Sequence, residues 1–387
     1  MRIGFQMMAL CGLFFLTACS HFELNKKEQS SLKQTLNLKK DWVRKTYLET
    51  DIGYRKNVRM TPLLLKDRVI QGNANDGIVA FNRESGNLLW RINVTGGVEG
   101  GVSVVKDRLF FGGNNGLFYS ASVSTGAVLW TVPVRSESLA APLLEDGVVY
   151  FLTGNNVLHA LDANDGHELW IYSRIDSQNF SIRGASAPTF KNGFILIGFS
   201  DGYLVSLNAK SGSLNWETLL NKNKRFRDID STPVVDDEYV YVTGYDSHLY
   251  CVNFKSGELI WKTEPGGFGQ VLIQGNRLFY SSSKGEVLAI EKKSGNPIWK
   301  YKLDEGIATS PNLYKNYLVF GESNGSLRFL NLENGLDVGH LMPGHGIFSP
   351  IAIDEKNDEL YFQSNSALLY KVQVKKQDEK EEQQWLF

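Results

Sequence analysis

Three features of the sequence predict an all-β fold, and specifically an eight-bladed β-propeller of four-stranded antiparallel blades. The first is a repeat. The words SGNLLW (85–90), TGAVLW (125–130), DGHELW (165–170), SGSLNW (211–216), SGELIW (256–261) and SGNPIW (294–299) all fit Gly-x-x-x-Trp. Their tryptophans, Trp90, Trp130, Trp170, Trp216, Trp261 and Trp299, are 40, 40, 46, 45 and 38 residues apart. A period in that range belongs to architectures built by repeating one supersecondary unit.

The second feature is the content of each unit. In the fourth, strand signals cover residues 187–191, FILIGF (194–199), YLVSLNA (203–209) and LNWETLL (214–220). Lys191-Asn192-Gly193, Ser200-Asp201-Gly202 and Lys210-Ser211-Gly212 divide them. Gly, Asn and Asp tolerate the positive φ that tight hairpins require. Second strands are apolar runs, as in VVYFL (148–152), YVYV (239–242) and YLVF (317–320), which suits burial on both faces. Four short antiparallel strands, repeated, make the blades of a propeller.

The third feature is how the ring closes. First strands start near Thr61, Gly101, Ala141, Ala187, Thr232, Gly269, Ser310 and Ser349, eight in all. The seventh unit keeps Gly335 but has Gly339 where Trp would stand. The eighth has three strands before the chain turns charged at Lys375. Its fourth strand is expected from DWVRKTYL (41–48), with Trp42 in the docking position. Pairing the first segment with the last blade leaves no open ring end to aggregate. The propeller is thus assigned residues 41–374. Each tryptophan, from Trp42 to Trp299, is assigned a structural role between blades, an aromatic of this size burying about 150–250 Å².

Composition agrees with a single large β unit. The chain has 387 residues, a net charge of −1, 42% apolar residues, 37 Gly, 10 Pro and 3 Cys. Balanced charge supplies no global field toward nucleic acid or anionic lipid. Three cysteines give no disulfide framework, so stability must come from packing.

The N-terminal segment reads as a leader. MRIGFQMMALCGLFFLTAC carries one basic residue and an apolar run too short to span a membrane. Its end, Leu16-Thr17-Ala18-Cys19, resembles the bacterial lipobox, which implies a signal peptide over residues 1–18 and lipidation of Cys19. Several acyl chains, at about 0.8 kcal/mol per buried CH₂, anchor a protein stably where one does not. Ser20 follows in place of the Asp that retains many lipoproteins at the inner membrane. The resemblance therefore implies an outer-membrane destination, facing the periplasm. Residues 19–40 read as the lipidated Cys and a flexible polar tether with a reach on the order of 25 Å. Residues 375–387, KKQDEKEEQQWLF, read as a charged, disordered tail.

Several motifs carry no chemistry in this setting. Gly198-Phe-Ser-Asp-Gly202 and Gly321-Glu-Ser-Asn-Gly325 match the nucleophile pattern G-x-S-x-G, but that chemistry needs a strand-to-helix turn and both fall between strands. GGVEGG (96–101) and GGFG (266–269) lack the Lys-Ser/Thr of a phosphate loop and fit turns near the ring axis. The six histidines show no metal-ligand spacing. Cys251, in HLYCVNF, is expected to be a buried thiol. NKNKRFRDID (221–230) starts basic and ends acidic, which does not make a nucleic-acid patch. No catalytic residue, cofactor or metal is expected.

Connector length singles out one rim. From each repeat's Trp to the Pro position of the next first strand, the count is 12 for Trp90 to Val102, Trp130 to Pro142 and Trp299 to Pro311. It is 18 for Trp170 to Pro188 and 17 for Trp216 to Pro233. Trp42 to Pro62, at 20, is also long but belongs to the far side. The two consecutive long connectors are expected to be neighbours, and extended loops on a rigid scaffold commonly carry function. Phe180, Ile182 and Arg183 alternate apolar and cationic, a composition favoured at protein interfaces. Asp228 and Asp230 in the second connector are placed to orient Arg183 by charge-assisted hydrogen bonds, or the acids and Arg183 merely brace the loops.

The lipobox, the tether, the Trp-docked blades and the words SIRGASAP (181–188) and DIDSTPVV (228–235) together resemble the BamB family. These are propeller lipoproteins of the outer-membrane β-barrel assembly (BAM) machinery. The likeness spans residues 1–374. The Gly-x-x-x-Trp repeat alone is shared with all quinoprotein-type propellers, and the two loop words single out this family. The resemblance implies that these loops bind the periplasmic POTRA domains of BamA, through Phe180, Ile182, Arg183, Asp228 and Asp230. Phe180 and Ile182 stand where leucine is usual, which keeps apolar character. The implied role is scaffolding: steadying the partner's periplasmic arm, or showing unfolded outer-membrane protein substrates a sheet edge. Two other functions compete. A dehydrogenase using pyrroloquinoline quinone and calcium needs adjacent cysteines, and the body of this chain has Cys251 alone. A generic envelope scaffold or glycan-binding propeller shares the repeat without the loop words.

Overall fold

Each Gly-x-x-x-Trp word closes the hairpin between a third and a fourth strand. In the first, the Asn82 side-chain oxygen accepts from the backbone N–H of Glu84 at 3.1 Å and Ser85 at 2.9 Å. Gly86 then takes a φ of 68°, a left-handed conformation open to Gly at no steric cost. The computed structural model describes residues 36–48, 58–174, 186–223, 225–245 and 248–376.

Among these residues the chain forms eight four-stranded antiparallel sheets and no helix. Blade one comprises Leu63–Leu64, Arg68–Asn73, Gly77–Asn82 and Leu88–Asn93. Six more blades follow in the same order. Blade eight comprises Ala352–Asp354, Glu359–Gln363, Leu368–Lys376 and the N-terminal strand Leu36–Lys45. The eight-bladed ring and its closure by the N-terminal strand are as the sequence predicts. The boundary is corrected. Residues 36–40, read from sequence as tether, are strand, with Leu36 opposite Lys376 and Leu38 opposite Val374. The reason is that Leu36 and Leu38 alternate with polar residues and pack on blade eight, Leu36 being buried beside Val374 and Tyr314. The strand ends at Lys45, short of the expected residue 48.

In seven blades one ladder feature recurs. The register between third and fourth strands shifts by one residue just before the tryptophan position, a β-bulge that sharpens the local twist. Directly opposite each Trp stands a small residue: Ala80, Ser120, Ala160, Ser206, Cys251 or Ala289. The indole thus leans over its own blade and onto the next. A Cβ built on Gly126, Gly166, Gly212, Gly257, Gly295 or Gly335 would stand 2.6–2.9 Å from the ring of the preceding blade's Trp. Trp90, Trp170 and Trp216 donate to the carbonyls of Val123, Ala209 and Phe254 at 2.8–3.0 Å. These six glycines therefore serve the previous blade's tryptophan as well as their own turns, whereas a Cβ on Gly86 would meet Arg44 of the closing strand.

Trp42 keeps this relation across the closure, donating to the Arg83 carbonyl at 3.2 Å. The seam adds charge. Arg83 of blade one pairs with Asp354 and, at 2.9 Å, with Glu359 of blade eight, and Lys371 bridges Glu359 and Asp41. Ser349 donates to the Met60 carbonyl at 2.8 Å.

Candidate functional site

First strands converge on the ring axis, where space is scarce. A Cβ on Gly100 would meet the Leu139 backbone at 2.5 Å, and one on Gly269 the Ser310 side chain at 2.6 Å. Between them lies a cavity of about 360 Å³ lined from every blade, by Gly101, Ala141, Ala187, Thr232, Gly269 and Ser310 among others. Arg59 and Asp230 are the ionisable residues that line it.

The two long connectors meet beside this cavity, on blades four and five. Residues 175–185 lie outside the described residues, and with them Phe180, Ile182 and Arg183, as does Cys19. Both flanks are defined. On entry, Arg174 donates to Asp201 at 2.6 Å, pairs with Glu217, and lies over the Tyr203 ring at 4.2 Å. On exit, Ser186 donates to the Ser231 carbonyl at 3.0 Å and accepts from Gly198 N–H at 3.2 Å. Thr189 donates to the Pro233 carbonyl at 2.7 Å. The ends of the two connectors are therefore in direct contact on one rim.

The second connector is folded inward. Ile229 is buried in the core cluster of blades four and five and donates its N–H to the Phe199 carbonyl at 3.1 Å. Its neighbours follow it down. Asp228 is 0% exposed and engaged in contacts of its own, and Asp230 is 7% exposed. Neither presents a carboxylate on the rim. Among the described residues, one Asp230 oxygen has no hydrogen-bond partner. Burial, reinforced by the Asp228 charge and opposed by Arg59, pushes the Asp230 carboxyl up to about 8. A group with that environment is held neutral at neutral pH.

The tryptophans, Trp42, Trp90, Trp130, Trp170, Trp216, Trp261 and Trp299, lie against the neighbouring blade, as their ring and N–H contacts show. Sequence reasoning missed Arg174 and Arg59. Arg174 has a local signal, a lone arginine at the point where a fourth strand passes into a lengthened connector. It also missed Asp162, Asp165 and His167, whose side-chain ligand atoms lie within 4.8 Å of one another in an exposed turn of blade three. The His167 ring and Asp165 are 2.8 Å apart. Cys251 is buried, its thiol pushed up to about 12 by burial and the Asp236 charge, which removes nucleophilic thiolate.

A family model described as outer membrane protein assembly factor BamB matches residues 74–301. The chain belongs to the BamB family. Among curated relatives, the outer membrane protein assembly factor BamB of Shewanella oneidensis is 26% identical over 333 residues, covering 80% of this chain and 83% of the relative. That of Escherichia coli is 27% identical over 328 residues, with coverage of 80% and 83%. The crystal structure of BamB from Moraxella catarrhalis superposes with a TM-score of 0.73 at 23% identity, covering 87% of this chain and all of that one. Quinohemoprotein alcohol dehydrogenase from Comamonas testosteroni gives 0.69 at 11% identity, over 87% and 76% of the two chains. Both structural likenesses speak for the propeller fold. The BamB family assignment rests on the family model.

Proposed function

We propose that this propeller is a non-catalytic scaffold of outer-membrane protein assembly, anchored in the outer membrane through lipid on Cys19 and facing the periplasm. It binds the periplasmic POTRA domains of BamA, within the BAM complex, through the rim of blades four and five. The observation that supports this reading is that the exit ends of the two lengthened connectors touch, Ser186 donating to the Ser231 carbonyl. Phe180, Ile182 and Arg183 are the contact residues. Asp228 and Asp230, being buried, act from below by supporting the loop.

Family membership supports the assembly role, and the chain's cysteines, Cys11, Cys19 and Cys251, include no adjacent pair for a quinone site. The test is a pull-down from solubilised outer membrane with the full lipidated chain. Recovery of a POTRA-containing barrel is expected. Recovery of polysaccharide alone would end the reading.

A further inference from the structure

The ribbon that closes the ring is longer than its counterparts. In blades one to six the tryptophan stands third in its outer strand, whereas Trp42 stands seventh in Leu36–Lys45. The partner strand, Leu368–Lys376, runs five residues past Lys371, which faces Trp42, while Gly77–Asn82 of blade one runs two past Ala80. At about 3.3 Å per residue, the pair continues by about 10 Å beyond the level at which the other blades turn back. Strand direction fixes the side. Leu36 opens its strand at the end where the third-to-fourth turns lie in other blades, and the long connectors leave from the opposite end, after Ser173 and Leu219. The extension therefore stands on the face opposite the proposed partner rim.

This extension is basic. Lys39, Lys40 and Lys375 are exposed, and among the described residues their amines have no ion-pair partner. Lys375 lies opposite Asn37, which puts it on the same side of the ribbon as Lys39, with Lys40 on the other. The neighbouring acids are taken: Asp41 and Glu359 by Lys371, Asp354 by Arg83 and Asp358 by Lys315. That leaves Glu355, exposed in the first turn of the blade, to set against three lysines. Beyond Lys376 the tail carries Asp378, Glu379, Glu381 and Glu382, which makes it the rival occupant.

We infer that the extension of blade eight, through Lys39, Lys40 and Lys375, docks on anionic phospholipid headgroups of the membrane that holds the anchor. Chain length argues for this occupant. Residues 20–35 separate Cys19 from Leu36, and a flexible chain of that length reaches about 20–25 Å. Anchoring through Cys19 thus keeps the lysines near the bilayer at high effective concentration. Charge argues for it too, since each lysine adds attraction to an anionic surface within a Debye length, about 8 Å at physiological salt. Docked in this way, the propeller turns its opposite face, and with it the rim of blades four and five, away from the membrane. The inference rests on the lipid-anchor reading and adds the orientation that an anchor alone leaves free.

The test places the full lipidated chain on vesicles of phosphatidylcholine, alone or with about one third phosphatidylglycerol. A membrane-impermeant amine-acylating reagent is added, and the modification of each lysine is read by mass spectrometry. Lys39, Lys40 and Lys375 are expected to react about threefold more slowly, or slower still, on the anionic vesicles, while Lys222 of the second long connector is unchanged. Salt at about 1 M, where the Debye length is about 3 Å, should erase the difference. In a chain carrying Lys39→Gln and Lys40→Gln, with an unchanged melting temperature, Lys375 should react on anionic vesicles nearly as fast as on neutral ones. A chain that floats with both vesicles but whose lysines react equally on them overturns the inference, and the anchor reading stands. A chain that floats with neither overturns both. Protection that is equal on the two vesicles, and is lost on truncation after Lys376, assigns the lysines to the acidic tail and overturns the lipid surface.

Discussion

Phe329 stands directly opposite Gly339 in blade seven, across the same ladder where blades one to six set a small residue against a tryptophan. The aromatic has changed strands. The cause lies in the next blade: blade eight takes its fourth strand from the N-terminus, so it has no third-to-fourth hairpin and no glycine for an incoming indole. A tryptophan at position 339 would have nothing to dock on, and Phe329, fully buried and edge-on to Tyr314 at 6.2 Å, fills the layer from the other side.

This exchange predicts a coupled pair. Phe329→Ala is expected to cost about 3–5 kcal/mol, as core aromatic truncations do. Gly339→Trp in the parent is expected to cost about 1–3 kcal/mol by overpacking. The double variant should lose less than the sum of the two, read from thermal melts. Simple additivity would show that the two positions do not share one space.

Glycine substitutions separate the two jobs of the Gly-x-x-x-Trp glycine. Gly212 has a φ of 69° and a Cβ there would meet the Trp170 ring at 2.6 Å, whereas Gly147, at 79°, has nothing within 4 Å. Ala at either position carries the backbone cost. Only Gly212→Ala carries the clash as well, so it should be the more destabilising by about 1–3 kcal/mol. Equal melting temperatures would mean that the indole is not seated on this glycine.

Asp230 makes stability depend on pH in a direction opposite to that of a salt-bridged carboxylate. Its folded-state value, about 8, lies above the ordinary 3.8. Between these limits the folded state holds more protons than the unfolded one, so raising the pH favours unfolding. The contribution is fully present below about 4 and is lost as pH rises through about 8. Asp230→Asn should remove that slope, so the variant gains on the parent from acid to pH 8. Parallel stability curves would show that Asp230 is ionised in the fold.

The repeat was legible because every unit states it in one short word, and a mismatch such as Gly339 was visible against six matches. What was hidden depends on residues far apart in the chain. The start of the closing strand at Leu36 rests on only two alternating leucines, and its partner lies at the opposite end of the sequence. Arg83 finds Asp354 and Glu359 only once the ring closes. Connector lengths located the rim, because length counts backbone that the blades do not need. The depth of the acids was hidden: the sequence sets Asp228 and Asp230 beside Arg183, as its orienting or bracing partners, and only the burial of Ile229 between them reveals that the loop turns inward.

The most direct test of the rim as a docking platform is the affinity of the Arg183→Ala variant for the isolated POTRA-domain arm of the barrel partner, measured beside its melting temperature. The expected result is a loss of about 1–3 kcal/mol in binding, typical of a truncated interfacial arginine, with no change in melting. Undiminished binding, or a drop in melting large enough to account for the loss, would contradict it.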